Sequence, residues 1–299
     1  MAISFEAKSD ATPIEVEDLI GAARKVHRGD SIETMQYVAG KLQCLAANRE
    51  FIRDALLEEL RRIASERHLA SFAPQSFTIY RAAPFSLRLN LWLPPAGSAR
   101  KIGQEARILS YDRAHDHNFS LLTVGAAGPG YKTRVFEYDS RSIGGYAGEF
   151  VEITYLEDTA LPIGKAMIYR PSRDIHIQIP PDRPSMSLNL LVAEKEIVEV
   201  PQYFFDLETS SLAIMDANEI GRRASFLEAV GHFADETCAS LLFDVARQSR
   251  NPSIRAAAMR AIGTGFPERQ HEIERLAEAD GHPLVVREAR FTPTEAPPA

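Results

Sequence analysis

The stretch Ala114-His115-Asp116-His117-Asn118-Phe119 sets two imidazoles two positions apart at the start of an apolar run. In an extended strand, residues i and i+2 project from one face, so both rings can reach one metal ion. His176, near the end of a later strand-like segment, offers a third imidazole. Three neutral nitrogen donors with open coordination positions suit a catalytic first-row metal, and His115, His117 and His176 are the expected ligands. The other histidines, His27, His68, His232, His271 and His282, stand in helical or repeat-like stretches without a partner at ligand spacing. They read as surface or satisfied core residues.

Three regions must position these groups. Residues 14–70 read as helical: Phe51, Ala55, Leu56, Leu60 and Ile63 recur at helical spacing after Asn48, a candidate N-cap. Earlier helices are expected through Leu19, Ile20 and Val26, and through Met35, Val38 and Leu42. From about Ser76 to Val200 the pattern changes to short alternating runs broken by Pro and Gly, as in a β-sandwich or barrel. The expected strands are 85–93, 117–125, 131–138, 150–156, 166–170, 175–179 and 187–192, with Ala127-Gly128-Pro129-Gly130 as a hairpin turn. Beyond them the chain turns helical again, and Asn251-Pro252-Ser253-Ile254-Arg255 recurs as His282-Pro283-Leu284-Val285-Val286-Arg287. That recurrence resembles HEAT-like repeats over Arg222 to Arg290, followed by a frayed end at 291–299.

Strand parity sorts the side chains. Phe85, Leu87, Leu89 and Leu91 share one face of their run, with Ser86, Arg88, Asn90 and Trp92 on the other. Ile175, Ile177 and Ile179 oppose His176 and Gln178, and Leu188 and Leu190 oppose Ser187 and Asn189. If the apolar faces pack on helices or a second sheet, the polar faces line a hollow interior. Its lining then comprises Arg88, Asn90, Trp92, His115, His117, Thr123, Glu137, His176, Gln178 and Asn189. Glu137 belongs inside because Lys132 and Arg134, on the alternate face, prefer water.

These residues resemble the cupin superfamily of double-stranded β-helix metalloproteins over roughly Ser76 to Val192. The resemblance implies a first motif with His115, His117 and Glu137, and a second with His176 after Gly164 and the turn Tyr169-Arg170-Pro171. The His-Asp-His element is similar to that of cysteine dioxygenase-like, three-histidine cupins, which implies Fe(II) as cofactor. The strand after the third histidine, Ser187-Leu188-Asn189-Leu190-Leu191, has Asn189 and Leu191 where those enzymes carry His and Tyr, which argues against thiol oxidation of free cysteine. The family's carboxylate-gripping arginine maps to Arg81 or Arg88, and only Arg88 has the pocket parity.

The expected architecture is α+β: a helical segment (1–75), a cupin barrel (76–205) and HEAT-like helices (206–299). The leading functional expectation is a mononuclear non-haem Fe(II) dioxygenase acting with O2 on a small polar or peptidyl substrate. Glu137, which would orient the ligands from behind them or serve as a fourth ligand, and Asn189 are its candidate catalytic groups, and Arg88, Asn90, Trp92 and Gln178 contact the substrate. One alternative is an Fe(II)/2-oxoglutarate hydroxylase with Glu137 as carboxylate ligand and Arg183 as anion anchor. Another is a non-enzymatic cupin whose helical repeats bind a protein partner. A formal charge of -7, without a basic patch, argues against nucleic acid and anionic membranes as partners. The N-terminus lacks signal-peptide character, and no apolar run approaches the ~20 residues needed to span a bilayer, so a cytoplasmic location is expected. Cys44 and Cys238 read as reduced, buried thiols.

Overall fold

Apolar residues at every second position dominate the β-rich stretch, and in the computed structural model they build two antiparallel sheets flanked by helices. The described residues are 3–7, 11–24, 32–65, 71–73, 75–82, 84–95, 111–192, 200–215 and 219–290. Val26, His27, His68 and the tail 291–299, on which expectations were placed, lie outside them. Two compact units emerge: Met1–Ser140, Glu152–Ile197 and Phe204–Ser210 form the first, and Arg141–Val151, Val198–Tyr203 and Ser211–Ala299 the second.

The first unit opens with β1 (Ile3–Phe5), α1 (Val16–Ala23), α2 (Ile32–Ala46) and α3 (Arg49–Ala64). Asn48 caps α3 by accepting the Phe51 N–H at 3.0 Å, as its position predicts. The strands follow as β2 (Ser71–Ala73), β3 (Ser76–Ala82), β4 (Phe85–Trp92), β5 (Ala114–His115), β6 (Ser120–Ala127) and β7 (Lys132–Glu137). After them come β8 (Thr154–Ala160), β9 (Ala166–Tyr169), β10 (Asp174–Ile179), β11 (Ser185–Val192) and β12 (Tyr203–Asp206). One sheet has the order β1-β9-β6-β11-β4-β3-β2, and the strands of the other in this unit run β12-β5-β10-β7-β8. From β5 to β12 the chain changes sheet at nearly every strand and so winds around one interior.

Strand parity fixes what each face meets. The outer face of the first sheet, with Leu87, Leu89, Leu122, Leu188 and Leu190, shares one core with Leu19, Val38, Leu42 and Leu45 of the N-terminal helices. The opposite faces enclose a second cluster of Trp92, Tyr111, Leu121, Tyr131, Val135, Met167, Tyr169 and Leu191. Those of the expected polar lining residues that stand on strands share the parity of these inner faces, because a period of two leaves them no other side, whereas His117 lies in the connection before β6.

The Ala127-Gly128-Pro129-Gly130 turn does not close a hairpin; it carries the chain from β6 in one sheet to β7 in the other. A Cβ at Gly130, whose φ is +83°, would lie 1.9 Å from the Leu161 carbonyl oxygen, so only glycine fits this crossing. Turn chemistry specifies a reversal, whereas burial of an apolar face decides which strands pair. The strand expected at 150–156 begins at Thr154, and the one expected at 117–125 begins at Ser120.

The second unit contains β13 (Ser211–Met215) and the helices α4 (Glu219–Gly231), α5 (Glu236–Gln248), α6 (Pro252–Gly265), α7 (Gln270–Asp280) and α8 (Pro283–Ala289). The recurring motif opens α6 and α8, each with proline in the first turn. Asn251 caps α6 by accepting the Ser253 and Ile254 N–H groups at 2.9 and 3.3 Å. Cys44 and Cys238 are free but half-buried, not the fully buried thiols expected, because both stand at the margins of their helices' apolar faces. Among the described residues, no helix is long and apolar enough to cross a membrane.

Candidate metal centre

β5 is only two residues long and sits between β10 and β12, with His115 directly opposite His176 in register. His117 follows in the connection to β6, two positions on, and its ring meets that of His176. The three rings converge: Nε2 of His176 lies 3.1 Å from Nε2 of His117 and 3.1 Å from Nε2 of His115. Among the described residues, this trio is the one His, Cys, Asp and Glu group whose ligand atoms all fall within 4.8 Å of one another.

The donor set fits a metal ion. Nitrogens bound to one first-row ion at ~2.1 Å, and roughly 90–110° apart, stand about 3.0–3.4 Å from each other. Nδ1 of His115 lies 2.9 Å from the Arg113 carbonyl oxygen, which can only accept, so the proton is on Nδ1 and Nε2 carries the lone pair. Burial, and then the charges of His115 and other neighbours, hold His117 and His176 well below the ordinary imidazole pKa. Neutral rings at these separations turn lone pairs toward one another, an arrangement that a bound cation relieves. His176 is fully buried, and its Nδ1 has no hydrogen-bond partner. Phe119 stacks on His117 at 4.7 Å, and Tyr169 lies 4.4 Å from the His176 ring.

The other expected site residues divide into two groups. On the inner face of the first sheet, Arg88 stands opposite Asn189, Asn189 opposite Thr123, and Asn90 opposite Ser187. Burial, with the nearby charge of Arg81, lowers the Arg88 guanidinium to about 10, and Arg88 in turn contributes to the low pKa of His117. Asn189 Oδ1 accepts from Thr123 Oγ1 at 2.5 Å and from Ser187 Oγ at 3.1 Å. A contact of 2.5 Å suits O–H···O and is too short for N–H···O, which fixes the amide with its NH2 turned away from Thr123. The indole N–H of Trp92 donates to Ser187 Oγ at 2.9 Å, so Trp92 offers the interior its ring alone. Gln178 is buried opposite Thr133.

Glu137 has the inner parity, opposite Asp174, yet it lies outside the histidine cluster. Its Oε2 accepts from Arg170 at 2.9 Å and from Arg173 at 3.1 Å. Burial alone would raise this carboxyl; the two arginines bring it below its ordinary value. Arg183 is exposed in the turn before β11. None of His232, His271 and His282 joins a ligand cluster among the described residues.

Sequence reasoning missed three interior tyrosines and a buried acid. Tyr131 is pushed up to about 12 by burial and shares hydrogen bonds with Tyr169, Thr123 and Gln178; Tyr169 is raised well above its ordinary value, first by burial and then by the neighbouring Tyr131. Both hydroxyls are neutral at ordinary pH. Tyr111 packs on Trp92 at 6.0 Å. Asp116, between His115 and His117, is fully buried and accepts the Tyr138 hydroxyl at 2.6 Å. Alternation already puts Tyr131 on the face of Thr133, Val135 and Glu137, opposite Lys132 and Arg134, and that parity was the available signal.

No protein-family model matches the chain, and no curated protein matches it in sequence. Among solved structures, salicylate 1,2-dioxygenase from Pseudoaminobacter salicylatoxidans, as its gentisate adduct, is 12% identical over 48% of this chain and 31% of that one, with a TM-score of 0.26. A cupin 2 conserved barrel protein from Salinispora arenicola is 11% identical over 42% of this chain and 78% of its own, at 0.24. A hydroquinone 1,2-dioxygenase, solved with Cd2+ and 4-hydroxybenzonitrile, is 11% identical over 42% and 68%, at 0.28. The likeness therefore spans about a third of the salicylate dioxygenase, and at these scores the functional reading rests on the chain's own geometry.

Proposed function

We propose that the first unit is a cupin-type double-stranded β-helix and that the protein is a non-haem Fe(II)-dependent dioxygenase acting on a small polar substrate. The observation that carries this reading is the convergence of three Nε2 atoms, two pairs of them at 3.1 Å, inside a strand-wound interior. His115, His117 and His176 hold the metal, and neutral imidazole suits Fe(II) while leaving positions open. When bound, the metal supplies a place where O2 and substrate meet. The chain's own residues do the rest. Arg88 pairs with an anionic group of the substrate, and the Asn189 amide and Gln178 donate hydrogen bonds to it. Trp92, Tyr111, Leu121 and Leu191 wall the interior against bulk water. Tyr131 and Tyr169 stay protonated and serve as neutral donors.

Support for the three-histidine reading over the 2-oxoglutarate one comes from Glu137, whose carboxylate is held by two arginines, and from the exposure of Arg183. The test is anaerobic reconstitution with Fe(II), metal analysis, and O2 uptake over a panel of small carboxylates and phenols with and without 2-oxoglutarate. The expected result is about one iron per chain, lost in His117→Ala and in His176→Ala, with uptake independent of 2-oxoglutarate. Unchanged iron content in both variants defeats the ligand assignment.

A further inference from the structure

β9 ends at Tyr169 in one sheet and β10 begins at Asp174 in the other, so Arg170-Pro171-Ser172-Arg173 is a sheet-to-sheet crossing. It is closed by an ionic lattice. The Asp174 carboxylate, fully buried, accepts the Arg170 backbone N–H at 2.6 Å and the Arg170 guanidinium through Nε at 3.0 and 3.1 Å and Nη2 at 2.5 Å. The same Nη2 reaches Glu137 Oε2 at 2.9 Å, and Arg173 adds its Nε and Nη2 to that oxygen at 3.2 and 3.1 Å. The Tyr138 N–H donates to the Arg173 carbonyl at 3.0 Å, which ties the crossing to the end of β7.

This crossing touches two of the three histidines. Ser172 is held at φ 49°, in the left-handed region, and its N–H donates to the His117 carbonyl at 2.6 Å. Two residues past Asp174, β10 delivers His176. A side chain other than Gly, Asn or Asp at positive φ costs about 1 kcal/mol or more and persists only where its surroundings enforce it. Here Ser172 lies within the turn that the Arg170–Asp174 contacts close, and Glu137 holds the arginines on either side of Pro171 and Ser172.

We infer that Glu137, Arg170 and Asp174 form a positioning clamp that sets the separation of His117 from His176 and hence the affinity and geometry of the metal centre. Glu137 thus serves the site from outside the ligand set. The inference rests on the metal centre proposed above. Arg170 is the decisive member, because a guanidinium does not ligate a cation: any effect of changing it on the metal travels through the turn.

Co(II) is the probe, titrated into metal-free protein and followed by its visible d–d bands, which report coordination geometry. Variants are compared once their metal-free far-UV spectra match that of the wild type. Glu137→Gln and Arg170→Lys are each expected to raise the apparent Kd for Co(II) about tenfold or more and to shift the bands. Asp174→Asn is expected to do so more strongly, and the half-exposed Glu137 keeps the test decisive if Asp174→Asn does not fold. Wild-type Kd and bands in both Glu137→Gln and Arg170→Lys overturn the clamp. An effect confined to Glu137→Gln, with Arg170→Lys like wild type, makes Glu137 a ligand and also overturns it. A wild-type protein without Co(II) bands, or a His176→Ala variant that titrates normally, brings down the metal centre itself and the clamp with it.

Discussion

His117 and His176 are imidazoles kept neutral by their surroundings, chiefly by burial and then by the charge of His115. Their folded pKa values lie well below the ordinary 6.5, so on acidification the unfolded chain takes up protons that the folded chain refuses. Their contribution to stability is therefore complete above the unfolded value and is lost progressively as the pH falls below it. Urea unfolding of the metal-free protein is expected to show a lower midpoint at about pH 5.5 than at about pH 7.5. Trp92, the single tryptophan and a resident of the same interior, reports the transition. His176→Gln is expected to narrow the gap between the two midpoints; an undiminished gap places the acid sensitivity elsewhere. At this scale the histidine trio was legible from spacing and parity. Which of its two expected roles Glu137 would take was not, because its partners lie 33 and 36 residues away and nothing local marks them.

At the scale of elements, alternation identified the cores of β4, β7, β10 and β11 and sorted their faces, since successive side chains on a strand have only two directions. Helical periodicity with a capping asparagine located α3 in the same way. Strand pairing was less accessible. The glycine-rich stretch before β7 carries a strong turn signal, yet it joins strands of different sheets, packed so closely that Gly130 lies against the backbone of Leu161. Gly130→Ala combines a positive φ with a backbone clash and is expected to destabilise the first unit by more than about 2 kcal/mol. The measurement is the shift of the Trp92-reported urea midpoint. A shift of a few tenths of a kcal/mol would show that the crossing can relax.

For the whole molecule, the N-terminal helices and the outer face of the first sheet share one buried cluster, so these parts are expected to unfold together. Leu42 of α2 and Leu188 of β11 are both fully buried there. Leu42→Ala and Leu188→Ala are each expected to cost about 3 kcal/mol. Both are also expected to move the Trp92 transition, although Trp92 lies on the other face of the sheet; a Leu42→Ala variant with an unmoved Trp92 midpoint would mean that the helices melt separately. The sequence by itself determined what short-range periodicity can encode: helices before and after a β-rich stretch, the two faces of most strands, and three imidazoles with the parity to meet. Tertiary structure alone decided which strands share a sheet, brought Tyr169 beside His176, and joined Glu137 to Arg170 and Asp174 outside the histidine cluster. Those outcomes depend on contacts between residues far apart in the chain, whose energies are set by packing and by burial of charge and leave no local pattern to read.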